Sequence, residues 1–165
     1  AISEVSLFQS VAPVPVPAIV SSDPTVLATT DWTIVSATAP GAEKLLDNDA
    51  KTIWVQPAPV AGKPASITVD MGQVRDVAGF SLTPSRQVMI DAAPPRGYVA
   101  ETSVDGKSWT PAGSGEFSNI AYALSTQRLP FTSVRPVRYL RLTFAEMSKP
   151  AAKLAIAGIG GFTKR

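Results

Sequence analysis

The side chains available for chemistry in this sequence are carboxylates, guanidinium groups, amines and hydroxyls, because histidine and cysteine are both absent. Without histidine the commonest general base near neutral pH and the commonest transition-metal ligand are missing. Without cysteine there are no disulfides, thiol nucleophiles, thiolate zinc sites or iron–sulfur clusters. The two absences together exclude most hydrolase triads and nearly all catalytic zinc chemistry. What is left is recognition. Arg86 is the best-placed polar candidate: it follows an apolar stretch at a loop. Its guanidinium offers five donors in a rigid fork, a geometry suited to hydroxyl oxygens. The 15 basic residues nearly balance the 13 acidic ones and are spread along the chain, apart from Arg135, Arg138 and Arg141. A nucleic-acid site wants a denser basic stripe with aromatics for stacking, so that partner is excluded.

The elements that must position such residues are short strands. The 15 prolines and 11 glycines fall mostly between short apolar stretches, a spacing that suits turns between strands better than long helices. Thr33–Thr38, Ser66–Asp70, Val77–Thr83, Tyr98–Val104, Gln127–Phe131, Val137–Phe144 and Leu154–Phe162 read as strands. In the sixth of these, Leu140, Leu142 and Phe144 share one face while Tyr139, Arg141 and Thr143 share the other. Asp105-Gly106 marks a hairpin turn, and Ala42–Leu46 a short helical turn leading into the acidic loop Asp47-Asn48-Asp49. With no helix between strands, the expectation is an all-β, antiparallel jelly-roll β-sandwich of about eight strands. No apolar run approaches the ~20 residues of a membrane helix, and Ala1–Phe8 lacks the basic and long apolar regions of a signal peptide. Residues 1–30 read as an N-terminal strand and a Pro-rich linker, or as the closing strand of a preceding domain. Residues 31–165 form the sandwich. Asp70 and Arg141, both polar within otherwise apolar strands, are expected to neutralise each other.

Four blocks, in order, carry a resemblance. Leu46-Asp47-Asn48-Asp49-Ala50-Lys51-Thr52-Ile53-Trp54 is similar to an Asp-Gly-Asp loop before Thr-x-Trp. Ile67-Thr68-Val69-Asp70-Met71-Gly72 resembles I-x-I-D-L-G, and Ser103-Val104-Asp105-Gly106-Lys107-Ser108-Trp109 resembles S-x-D-G-x-x-W. Arg138-Tyr139-Leu140-Arg141-Leu142 resembles R-Y-V-R-L. Together they resemble the discoidin, or coagulation-factor type C, domain, including the family-32 carbohydrate-binding modules. Leu82–Gln87 and Gly113–Ile120 further resemble the type C domain appended to bacterial alpha-L-fucosidases. The resemblance implies a galactose-binding-like jelly roll with ligand loops at one end.

What it implies for function is a non-catalytic accessory domain of a glycoside hydrolase, secreted or periplasmic, binding a fucose- or galactose-containing glycan. The implied ligand residues are Arg86, Asp91, Trp54, Arg96, Phe117 and Asn119. Trp54 and Trp109, inside the family blocks, fit the core better than a sugar platform, and Trp32 has no clear assignment. Galactose-binding relatives also use a histidine after Thr-x-Trp, where this chain has Val55. In relatives the acidic loop holds calcium, which here implies Asp47, Asp49 and Thr52 as ligands. A glutamate in the last strand completes that cage in relatives, and Gly158 stands in its place, so the expectation is an empty or weakly held calcium site. Glycosidase chemistry needs two carboxyl groups flanking a bond in a cleft, whereas Asp47, Asp49, Asp76 and Asp105 fall in turns or at edges. Two other readings stay open: a structural accessory domain without sugar binding, and a protein- or lipid-adhesion domain. For the latter the loop Val55–Val60 lacks large apolar side chains for insertion.

Overall fold

The computed structural model describes residues 25–87 and 91–163. The reading of residues 1–8 as a strand and of Pro13–Pro24 as a linker falls outside them. Nine strands and one 3-10 turn make up the described chain. The strands are β1 (Thr25–Val26), β2 (Thr33–Ala37), β3 (Trp54–Pro57), β4 (Ala65–Pro84), β5 (Ala92–Ala93), β6 (Gly97–Ser103), β7 (Thr110–Glu116), β8 (Gln127–Phe144) and β9 (Lys153–Thr163), and the turn is η1 (Ala42–Leu45). β1 pairs with β9, so the sheet begins six residues before the sequence-drawn boundary at residue 31.

Two very long strands organise the sandwich. β4 and β8 run antiparallel, but their register slips between Asp70 and Arg75 and again between Val77 and Gly79. At each slip one strand carries several residues without a partner across the ladder, an irregularity that interrupts the ladder between the two halves. The first half of β4 pairs with β2 and the second half of β8, which continues to β6 and β7. The second half of β4 pairs with β9 and the first half of β8. One continuous sheet therefore folds over itself into two layers. The sequence reading divided each long strand in two because Pro136 and the polar run after Asp70 interrupt the alternation. The prolines in fact sit at the irregular stretch, Pro130 opposite Gly79 and Pro136 opposite Asp76, where a missing N–H costs least. Gly79 is required there. A Cβ would lie 2.4 Å from both the Leu129 carbonyl oxygen and Phe162.

Alternation fills the space between the layers. Ile67, Val69 and Met71 from β4 and Leu140, Leu142 and Phe144 from β8 meet Phe80, Leu82 and Ile156, all fully buried. Each such side chain stabilises the fold by about 1.5–3 kcal/mol. The pairing is antiparallel throughout except where β5 runs parallel to the start of β9. The turn after β6 is built by Asp105, whose carboxylate accepts the N–H groups of Lys107 and Ser108 and the Ser103 hydroxyl, with Gly106 at φ 73°.

The expected Asp70–Arg141 pair does not form. Arg141 stands directly across from Glu101 and bonds it at 3.4 Å, while its guanidinium stacks 3.7 Å from the centroid of Trp109. Asp70 is held by Arg138 instead. Arg141 is neutralised by the residue opposite it on β6, and Asp70 by Arg138, the chain neighbour of its register partner Tyr139.

Candidate functional site

Cross-strand register assembles a polar surface on the outer face of the second layer. Because residues paired across an antiparallel sheet share a face, Arg128, Ser81 and Gly160 form one row, and Thr83 and Gly158 fall in the next. Thr126, just before β8, joins that second row through a 2.9 Å hydroxyl contact with Thr83. The inward neighbour Leu82 is buried in the core, which fixes the outward direction of Ser81 and Thr83. Gly158 and Gly160 leave the floor without side chains. The result is a cleft of about 600 Å3, closed on its sides by Arg86, Asn48 and Asp49.

The acidic loop is a pre-formed wall of this cleft. Asn48 takes a left-handed φ of 58° and donates from its amide to the Thr29 hydroxyl at 2.8 Å, while Thr29 donates to the Leu46 carbonyl. Asp47 accepts the Asp49 N–H on one oxygen and the Thr52 hydroxyl on the other, at 2.8 and 2.7 Å. Asp49 accepts the Lys51 N–H at 2.9 Å. Among the described residues neither Arg86 nor Arg128 makes an ion pair, and both are exposed.

The sequence-derived ligand residues do not gather in one place. Arg86 lines the cleft and Asp91 does not. The Asp91 carboxylate accepts the Ala152 N–H and its carbonyl accepts the Lys153 N–H, both at 3.0 Å, which ties the loop to the entry of β9. Trp54 is 1% exposed, with Nε1 donating to the Ala39 carbonyl, so it is core and not a sugar platform. Phe117 is buried against Tyr98 at a centroid distance of 5.2 Å. Arg96 lies between Glu116 at 3.1 Å and Glu146 at 3.6 Å, beside a separate pocket of about 210 Å3. Asn119, at φ 51°, accepts the N–H groups of Tyr122 and Ala123 and so turns the β7–β8 loop. Val55, at the histidine position, is a half-buried member of β3 paired with Ala155.

Sequence reasoning missed Arg128, which lines the cleft. Arg128 alternates with the inward Leu129 and Phe131, a signal that was present but needed the register to place it. Tyr122 is 83% exposed on a loop anchored by buried Phe117 and Ile120, and that loop ends at Thr126 in the cleft. Trp32 is buried in the core.

The family model described as F5/8 type C domain matches residues 22–157. The chain belongs to the F5/8 type C family. Solved structures agree on the fold of this F5/8 type C domain. It is similar to a family 32 carbohydrate-binding module of C. perfringens NanJ in complex with galactose, at 18% identity and TM-score 0.68, covering 86% of this chain and all of that one. The C-terminal domain of a chitobiase from Bacteroides fragilis is 25% identical with TM-score 0.67, covering 85% and 99%. The family 32 module of AlyQ in complex with 4,5-unsaturated mannuronic acid is 20% identical with TM-score 0.64, covering 84% and 98%. Among curated proteins no sequence matches.

Calcium takes six to eight oxygens; in the acidic loop each Asp47 oxygen accepts a hydrogen bond from within the loop, and Gly158 contributes no side chain. Among the described residues no three acidic side chains come together as a metal cluster.

Proposed function

We propose that this domain is a non-catalytic carbohydrate-binding module, attached to a glycoside hydrolase, and that its sugar site is the cleft bearing Arg86. The observation that carries the reading is the register itself. It sets Arg128, Ser81 and Thr83 around a floor of glycine, Thr126 joins them through its contact with Thr83, and Arg86, Asn48 and Asp49 line the same cleft. Such a lining supplies both donors and acceptors to sugar hydroxyls, and exposed Tyr122 offers a flat ring to a sugar C–H face. The carbohydrate-bound relatives of the same fold support it. Among the described residues one carboxylate, Asp49, lines the cleft, whereas glycosidic hydrolysis takes two.

The parent enzyme we infer is an alpha-L-fucosidase, secreted or periplasmic, and the ligand a glycan bearing fucose or galactose units. Titration of the chain with fucose, galactose and their oligosaccharides, followed by NMR, tests the site. Shallow single-module sites bind near millimolar, roughly −4 kcal/mol. The expected result is saturable shifts at residues around Ser81, Thr83 and Arg128, reduced about tenfold or more in affinity by Arg86→Ala. Binding unaffected by that substitution places the sugar elsewhere, and no hydrolysis of nitrophenyl glycosides is expected.

A further inference from the structure

The charge of the cleft points to a more specific ligand. It is lined by two guanidinium groups, Arg86 and Arg128, against the single carboxylate of Asp49, so it carries a net positive charge. Among the other described residues the arginines are already engaged, Arg75 beside Asp31 at 4.0 Å among them. Arg96 is held by Glu116 and Glu146, Arg138 by Asp70, Arg141 by Glu101, and Arg135 donates to the Pro111 carbonyl. Arg86 and Arg128 have no carboxylate partner among the described residues, although Asp49 shares the cleft with them. A carboxylate-bearing sugar adds an ionic partner for them that a neutral sugar does not.

We infer that the cleft binds a carboxylate-bearing sugar, a uronic acid unit of a glycan. The inference rests on the carbohydrate-binding reading above. Arg86 and Arg128 take the sugar carboxylate through charge-assisted hydrogen bonds, which are shorter and roughly twice as strong as neutral ones. Asn48, Asp49 and the paired Thr83 and Thr126 hydroxyls take the ring hydroxyls. Gly158 and Gly160 let the ring approach the sheet backbone.

Galactose and galacturonate differ only at C6, where one carries a hydroxymethyl group and the other a carboxylate, so the pair isolates the charge. Calorimetric or NMR titration of the full chain is expected to show galacturonate, or its disaccharide, binding about tenfold or more tighter than galactose. The preference is expected to weaken as salt rises from about 20 to 500 mM, as screening demands. Arg128→Ala and Arg86→Ala each remove the preference while leaving the melting midpoint in place. If both sugars bind equally and Arg128→Ala changes neither, the acidic-ligand inference falls and the carbohydrate reading stands. If neither sugar nor any longer glycan binds, both fall.

Discussion

Arg138 closes on Asp70 through two parallel bonds, Nε to Oδ1 and Nη2 to Oδ2, each 3.0 Å. The pair joins β8 to β4 at the last regular step before the register slips. Asp70 Oδ1 also accepts the Gly72 N–H at 2.8 Å, where Gly72 turns at φ 79°. A recognisable sequence block is thus explained as a clamp on the bend of the sandwich.

That clamp sets a pH dependence. The Arg138 hydrogen bonds hold the Asp70 carboxyl below its ordinary value of 3.8, against the opposing effect of burial. A carboxylate with a depressed folded pKa stabilises above its unfolded pKa and loses that contribution as pH falls through the folded one. Asp70→Asn is therefore expected to lower the melting midpoint at pH 7, with the difference from the parent shrinking as pH falls through the depressed Asp70 value. Equal midpoints at pH 7 would show that the pair contributes nothing.

Asp105 gives a second, separable acid response. The N–H groups of Ser108 and Lys107 and the Ser103 hydroxyl lower its carboxyl from 3.8 to about 2. Its stabilising effect is present above about pH 4 and is lost as pH falls toward 2. Asp105→Asn retains one acceptor oxygen but no charge, so its acid-unfolding curve is expected to be shallower between those limits. Urea midpoints measured at half-unit pH steps check this.

Trp54 and Tyr122 separate stability from recognition. Trp54 fills the core beside η1, and Trp→Ala changes in cores cost about 3–5 kcal/mol, roughly 6–20 °C in a domain of this size. Tyr122 touches solvent over most of its surface, so Tyr122→Ala is expected to leave the midpoint within about 2 °C while weakening sugar binding several-fold. Thermal melts paired with titrations read both. A stable Trp54→Ala variant, or Tyr122→Ala with unchanged affinity, contradicts the assignment.

These contrasts show what was legible in the sequence. Period-two alternation gave the strands and the core, since Leu140, Leu142 and Phe144 are buried as their spacing requires. The four family blocks are legible because they build architecture: an acidic turn, the Asp70 clamp, the Asp105 turn and the Arg141–Trp109 stack. The candidate site was harder to read because its residues come from four segments that the fold, and not the sequence order, brings together. Arg86 was visible as a loop arginine, but Asp91 at a plausible spacing is consumed by the backbone at Ala152 and Lys153. Arg128 became a site residue only once it was known to face Ser81 and Gly160. Arg141 was assigned the wrong partner because alternation gives the face of a residue without its cross-strand neighbour.

Gly158 links the metal question to the ligand question. A ligand present at 100 times its dissociation constant stabilises by about 2.7 kcal/mol, which is roughly 5–10 °C here. With both Asp47 oxygens engaged and no side chain at position 158, millimolar calcium or EDTA is expected to move the midpoint by less than about 2 °C. A Cβ at Gly158 would meet the Leu45 carbonyl and Thr83 only at an ordinary 3.7 Å, so Gly158→Glu is expected to fold. Its carboxylate would stand on the cleft floor beside Asp49, offsetting the positive charge of Arg86 and Arg128 and occupying the space of a sugar ring. The variant is expected to lose galacturonate binding about tenfold or more while keeping its melting midpoint in the absence of calcium. A calcium-dependent rise confined to the variant would show that the glutamate alone was missing from the cage. Calcium stabilisation of the parent chain would overturn the expectation for the metal. Unchanged galacturonate affinity in Gly158→Glu would mean that the glycine floor is not where the sugar lies.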